Sequence, residues 1–106
     1  MAMIEVSIIP VGTPTPSLSE YVAGAVRILQ NERDIKYELT AMGTIIEGDL
    51  EKLLVLAGRM HRSAFDAGAM RVATTIKIDE RRDKPSGISS KVAAVKEKLG
   101  SARMAR

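Results

Sequence analysis

The stretch Tyr37-Glu-Leu-Thr-Ala-Met-Gly-Thr-Ile-Ile-Glu-Gly48 leaves the chain few ways to fold. Tyr37 and Leu39 alternate with Glu38 and Thr40 as in a half-buried strand, Met42-Gly43 interrupts, and Thr44-Ile45-Ile46-Glu47 resumes the extended pattern. Two strand-like runs this close in sequence pair as a hairpin through Ala41-Met42-Gly43. A glycine between such runs marks a bulge, a tight turn or a close approach to the backbone. The polar groups gathered here make the hairpin a candidate site as well as a topological anchor.

The flanking segments show both strand and helical periods. On the N-terminal side, Met3 to Ile9 reads as a strand with Ile4, Val6 and Ile8 on one face and Glu5, Ser7 and Ile9 on the other. Pro10 to Pro16 carries three prolines and reads as a loop. Ser17-Leu-Ser-Glu20 has capping-box spacing, which predicts a helix to about Asn31 with Tyr21, Val22, Ala25, Val26, Ile28 and Leu29 as its apolar stripe. The second strand is Ile35 to Thr40 and the third Thr44 to Glu47.

On the C-terminal side, Asp49 is suited to N-cap a second helix whose apolar positions run from Leu50 to Phe65 and which stops at Gly68. Arg71 to Asp79 alternates as a fourth strand, and Glu80 to Gly87 reads as an exposed loop. Ser89 or Ser90 caps a last helix carrying Val92, Val95 and Leu99 and ending at Gly100, with residues 101–106 as a loose tail.

This order predicts an α+β fold, a ferredoxin-like βαββαβ sandwich: a four-stranded antiparallel sheet, both long helices on one face, and an extra C-terminal helix. A length of 106 residues fits a single domain over residues 1–106, with its core over about residues 3–99. The face left open by the long helices should carry Ser7, Ile9, Glu38, Thr40, Arg71, Ala73, Thr75 and Lys77, joined by Thr44 or Glu47. Edge strands and a half-polar open face favour a homo-oligomer, a dimer or tetramer, assembled through sheet faces or edges.

Composition narrows the chemistry. The absence of cysteine removes disulfides, thiolate ligands and cysteine nucleophiles, and makes the cytoplasm the expected compartment. No apolar run approaches the roughly 20 residues of a membrane span, and the start does not read as a signal peptide, so no membrane partner is expected. The net charge of +3 collects toward the C-terminal third, in Arg81, Arg82, Lys84, Lys91, Lys96, Lys98, Arg103 and Arg106, as a solvated face.

An RNA-binding module of this element order would stack bases on strand aromatics. The first, third and fourth strands contain none, and Tyr37 falls on the buried side, so nucleic acid is not the expected partner. No nucleophile–base set and no phosphate-cradling glycine loop occurs, which predicts a protein that is not an enzyme. His61 stands alone on an amphipathic helix and reads as a packing residue, so neither a metal site nor a cofactor is expected.

The sequence resembles the thiamine-binding, YkoF-like family over about residues 3–99. The resemblance rests on Tyr37-Glu-Leu-Thr-Ala-Met-Gly-Thr-Ile-Ile-Glu-Gly48 and on Arg71-Val-Ala-Thr-Thr-Ile-Lys-Ile-Asp-Glu-Arg-Arg-Asp-Lys84, with Ser7 to Gly12 and Tyr21-Val-Ala23 as support. Ala41 departs from it, since the family carries proline before Met-Gly-Thr. The resemblance implies homo-oligomers and a small site near the open sheet face or subunit interface for thiamine or its hydroxymethylpyrimidine moiety.

Such a ligand needs hydroxyl or backbone groups for the pyrimidine edge and a carboxylate or polarizable surface for the thiazolium cation. Ser7, Thr40 and Thr44 offer hydroxyls, Gly43 an approach to the backbone, Met42 a soft sulfur and Glu47 a charge. Glu47→Gln is accordingly expected to weaken the cationic vitamin more than the neutral fragment. The alternative reading is an oligomeric regulatory or assembly protein without a vitamin ligand.

Overall fold

The computed structural model describes residues 1–85 and 87–104, with side chains through Gly100. The elements are β1 (Ala2–Pro10), α1 (Ser19–Gln30), β2 (Lys36–Leu39), β3 (Thr44–Gly48), α2 (Leu50–Asp66), β4 (Val72–Glu80) and α3 (Ile88–Met104). All strand pairs are antiparallel and the sheet order is β2-β3-β1-β4. This is the ferredoxin-like architecture, with β1 and β3 central.

The alternation seen in the sequence sorts the two faces. Ala2, Ile4 and Val6 of β1 and Ile46 of β3 turn to the helices and are buried, with Ala25 and Leu29 of α1 and Leu53, Leu56, Ala57 and Met60 of α2 packed onto them. Removing each of these larger aliphatic side chains from water contributes about 1.5–3 kcal/mol. Asp49 caps α2 by accepting the Lys52 amide at 3.4 Å. Gly68 ends it at φ +106°, and Ala69 and Gly68 donate back to the carbonyls of Ala64 and Phe65, a Schellman arrangement.

Pro10 ends β1 within the ladder rather than opening the loop. Val11 donates to the Arg71 carbonyl at 2.8 Å, so odd-numbered β1 residues exchange hydrogen bonds with β4 and even-numbered ones face the other way. Proline at position 10 therefore deprives β4 of no donor. The Ser17–Glu20 capping box does not form: Leu18 occupies the N-cap without a side-chain bond, and Ser17 meets only the Ser19 hydroxyl, at 3.4 Å.

Two expectations about the C-terminus change. Gly100 lies inside α3, which continues to Met104; an interior glycine lowers helix stability by only about 1 kcal/mol relative to alanine. Of the expected loose tail, residues 105–106 lie outside the described residues, as does Ser86 in the preceding loop. The open sheet face is also partly covered, since the first turn of α3 is anchored there: Ile88 donates its amide to Glu47 Oε2 at 2.7 Å, and Lys91 pairs with Asp79.

The rest of α3 projects. The radius of gyration, 16.1 Å, exceeds the roughly 13 Å of a compact chain this size. The Lys91 ammonium donates to Asp79 and holds its carboxyl below the ordinary carboxylate range. A depressed carboxylate stabilises above the unfolded pKa and loses that contribution as pH falls through the folded one. Protection factors of the amides in the first turn of α3, corrected for the intrinsic pH dependence of exchange, should thus hold from neutral pH down to about 5 and fall only as the pH passes below the ordinary carboxylate range. Hydrogen exchange across an acid titration checks this.

Candidate functional site

A cavity of about 190 Å³ lies where the end of β1, the β2–β3 hairpin and α1 meet. Its walls are Val6 to Ile9, Leu18, Val22 and Ala25 of the α1 side, Leu39 to Thr44, and Met60 of α2. The α1 and α2 residues place it on the helix-covered side of the sheet, at the sheet's end, rather than on the open face. The walls are mostly apolar, and the volume is below the roughly 300–1,000 Å³ of pockets that enclose whole drug-sized ligands. It suits one heteroaromatic ring.

The hairpin is shaped by Thr40. Its amide donates to the Gly43 carbonyl at 2.9 Å, and its hydroxyl donates to the same oxygen at 2.8 Å while accepting from the amides of Gly43 (3.1 Å) and Met42 (3.3 Å). Ala41-Met42 is thereby held as a two-residue connection without positive φ. The Thr40 hydroxyl is spent on the turn. Gly43 has its own reason: a Cβ there would lie 3.0 Å from the Val6 carbonyl oxygen, so glycine lets the hairpin close onto β1.

Ala41 sits at the corner where the resemblance expects proline. No described hydrogen bond uses its amide, and the first corner of a turn without positive φ suits proline. Ala41→Pro should raise the unfolding free energy by about 0.4–1 kcal/mol by restricting the unfolded chain, read as a higher urea midpoint.

Five of the six residues singled out in the sequence, Ser7, Thr40, Met42, Gly43 and Thr44, line this cavity. Thr44 is buried on the helix side, and Met42 stands at the rim, 83% exposed. Glu47 is elsewhere. It is buried on the opposite face, accepts the Ile88 amide, and has Lys36 at 3.9 Å. A Cβ on Gly87 would overlap its Oε2, so that glycine admits the carboxylate to the start of α3. The physical reason is parity: Thr44 and Ile46 face the helices, so Glu47 faces away from them.

Lys52 of α2 pairs with Glu32 (3.2 Å) and Asp34 (3.7 Å) rather than with Glu47. His61 shares a hydrogen bond of 2.6 Å with the Thr74 hydroxyl and packs edge-on to Phe65, tying α2 to β4.

The residue missed in the sequence is Ile8. The β1–β3 ladder ends at Val6–Thr44, and alternation turns the amide and carbonyl of even-numbered β1 residues toward β3. Beyond Thr44 the chain bends into the hairpin turn, so among the described residues no strand partner meets Ile8, which presents one donor and one acceptor, side by side, to the cavity. An apolar letter in a strand gives no hint of this; only the register does. Among the described residues no hydrogen bond engages the hydroxyls of Ser7 or Thr44, and no cluster of three or more His, Asp or Glu is placed to hold a metal.

Comparison with known proteins agrees with this architecture. The sequence model described as "Thiamine-binding protein" matches residues 4–96. The UPF0045 protein YqgV of Bacillus subtilis is 48% identical over 102 residues, covering 93% of this chain and 98% of its own. The crystal structure of the hypothetical protein MJ1052 from Methanocaldococcus jannaschii superposes with a TM-score of 0.82 at 40% identity, covering 91% of this chain and 96% of that one. A putative thiamine biosynthesis/salvage protein from Thermotoga maritima shares the fold at a TM-score of 0.72 and 20% identity, with coverage of 89% and 97%. The chain belongs to the thiamine-binding protein family.

Proposed function

We propose that the protein is a non-catalytic binder of thiamine or its hydroxymethylpyrimidine moiety, taking the aminopyrimidine ring into the cavity beneath the hairpin. The observation that carries this is the unpartnered Ile8 backbone in a one-ring apolar space. An aminopyrimidine edge sets an amino donor beside a ring-nitrogen acceptor, which matches the carbonyl and amide of a single extended residue. The hydroxyl of Thr44, on the helix-covered side, supplies a further partner, and the apolar walls bury the ring faces. Family membership and the fold shared with the Thermotoga maritima protein support the same ligand class.

No carboxylate lines the cavity, so the thiazolium of the whole vitamin would lie at the rim, against the thioether of Met42 and solvent. Recognition on this reading is of the pyrimidine, and thiamine and the fragment bind with similar affinity. Glu47→Gln, a change on the other face, leaves both unaltered. The protein would act in the cytoplasm as a carrier, buffer or sensor, and among the described residues no helix is long and apolar enough to cross a membrane.

The test is thermal unfolding with hydroxymethylpyrimidine, thiamine and thiamine phosphates in turn. A ligand at a hundredfold its dissociation constant should stabilise by about 2.7 kcal/mol. No shift with any of them would favour the alternative, an assembly or regulatory protein without a vitamin ligand.

A further inference from the structure

The backbone of Ile8 has a direction, and the slot beside it has two unlike ends. In an extended residue the amide lies toward the preceding residue and the carbonyl toward the following one, so the donor comes on the Val6 side of the slot and the acceptor on the Pro10 side. The Val6 side is shut. Val6 and Thr44 form the last rung of the β1–β3 ladder there, and both are buried, at 2% and 4% exposure. The other side is open: past Thr44 the chain has turned into the hairpin, and Ile9 and Met42 are 46% and 83% exposed. No charged side chain lines either end.

An aminopyrimidine edge carries a ring-nitrogen acceptor beside an amino donor. Against Ile8 the nitrogen takes the amide hydrogen and the amino group gives to the carbonyl, and turning the ring end for end would set donor against donor and acceptor against acceptor. The orientation is therefore single. Position 2 of the ring, next to that nitrogen, points at the Val6–Thr44 rung, and position 5, next to the amino-bearing carbon, points out past Met42.

We infer that the site is selective at position 2 of the pyrimidine and indifferent at position 5, with Val6 and Thr44 setting a methyl-sized limit at the closed end. The inference rests on the binding role proposed for the cavity. A longer group at position 2 would press on a rung of the central sheet, inside a close-packed core that has little room to give. A phosphate ester or a thiazolium carried on position 5 stays in water and loses no hydration. The free fragment, its phosphate ester and the whole vitamin are then one ligand class to this protein, told from other aminopyrimidines by the group at position 2.

Calorimetric titration of the full chain with a series of 4-amino-5-hydroxymethylpyrimidines tests this. Relative to the 2-methyl compound, the 2-unsubstituted one should bind about fourfold more weakly, the worth of one methyl-sized group taken out of water. The 2-propyl compound should be weaker by about tenfold or more, as overpacking requires, and the phosphate ester of the 2-methyl compound should bind as its parent does. Val6→Ala clears space at the closed end and should bring the 2-propyl affinity back toward that of the 2-methyl compound. Met42→Ala, at the open end, should leave the ratio of the two unchanged. The ligand series on the wild-type chain carries the test if Val6→Ala fails to fold. A 2-propyl compound that binds as tightly as the 2-methyl one, a phosphate ester that fails to bind although its parent does, or a folded Val6→Ala variant with the wild-type ratio would overturn the inference and leave the binding role standing. Binding by none of the compounds would overturn both.

Discussion

Ala25→Leu should abolish binding of hydroxymethylpyrimidine and leave the fold standing. Ala25 is buried on α1 and forms part of the cavity wall, so the added carbons extend into the 190 Å³ that a ring would occupy. Overpacking a filled core costs about 1–3 kcal/mol, but here the void accepts the new atoms and the melting temperature of the free protein should change little. The stabilisation by ligand, about 2.7 kcal/mol at a hundredfold the dissociation constant, should vanish. Retained binding would place the ligand elsewhere, because nothing else about the site is altered.

Leu53→Ala should be strongly destabilising. Leu53 is fully buried between α2 and the sheet, and its Cδ2 packs against the backbone of Gly48, 3.4 Å from where a Cβ there would be. Leucine-to-alanine changes at such sites cost about 2–5 kcal/mol, a large share of the roughly 5–15 kcal/mol that holds a domain folded. The urea midpoint should fall with the slope unchanged. Val55→Ala, two residues on at an exposed position, should stay within about 0.5 kcal/mol.

The element order was legible because the two periods are clean here: alternation in Ile4-Glu5-Val6-Ser7 and Val72 to Ile78, helical spacing from Leu50 to Phe65, and Asp49 and Gly68 at the ends of α2. The hairpin was legible because little else can connect Leu39 to Thr44. What escaped were relations that a register creates. Glu47 looked like a ligand's carboxylate because it sits beside the hairpin in sequence, yet its partner is the amide of Ile88, 41 residues away. Gly43 looked like a turn residue, yet its backbone needs no positive φ; the Val6 carbonyl excludes a side chain.

Cap chemistry was read partly amiss for a related reason. Ser17 and Glu20 have the right spacing, but α1 begins at Ser19, so the serine lies too far upstream to reach the orphan amides. Side chains announce themselves in a sequence, whereas an unpaired backbone does not. Ile8, with its amide and carbonyl turned toward the cavity, is of the second kind.

In the proposed function one extended residue, Ile8, reads the edge of an aminopyrimidine. Amide chemical-shift mapping during a titration with hydroxymethylpyrimidine tests it most directly. The expected result is a saturable shift of the Ile8 amide, accompanied by Met42, Gly43 and Thr44, with Glu38 and Lys77 on the other face unmoved. Saturable shifts centred on Glu38, Lys77 or the first turn of α3, with Ile8 silent, would contradict it.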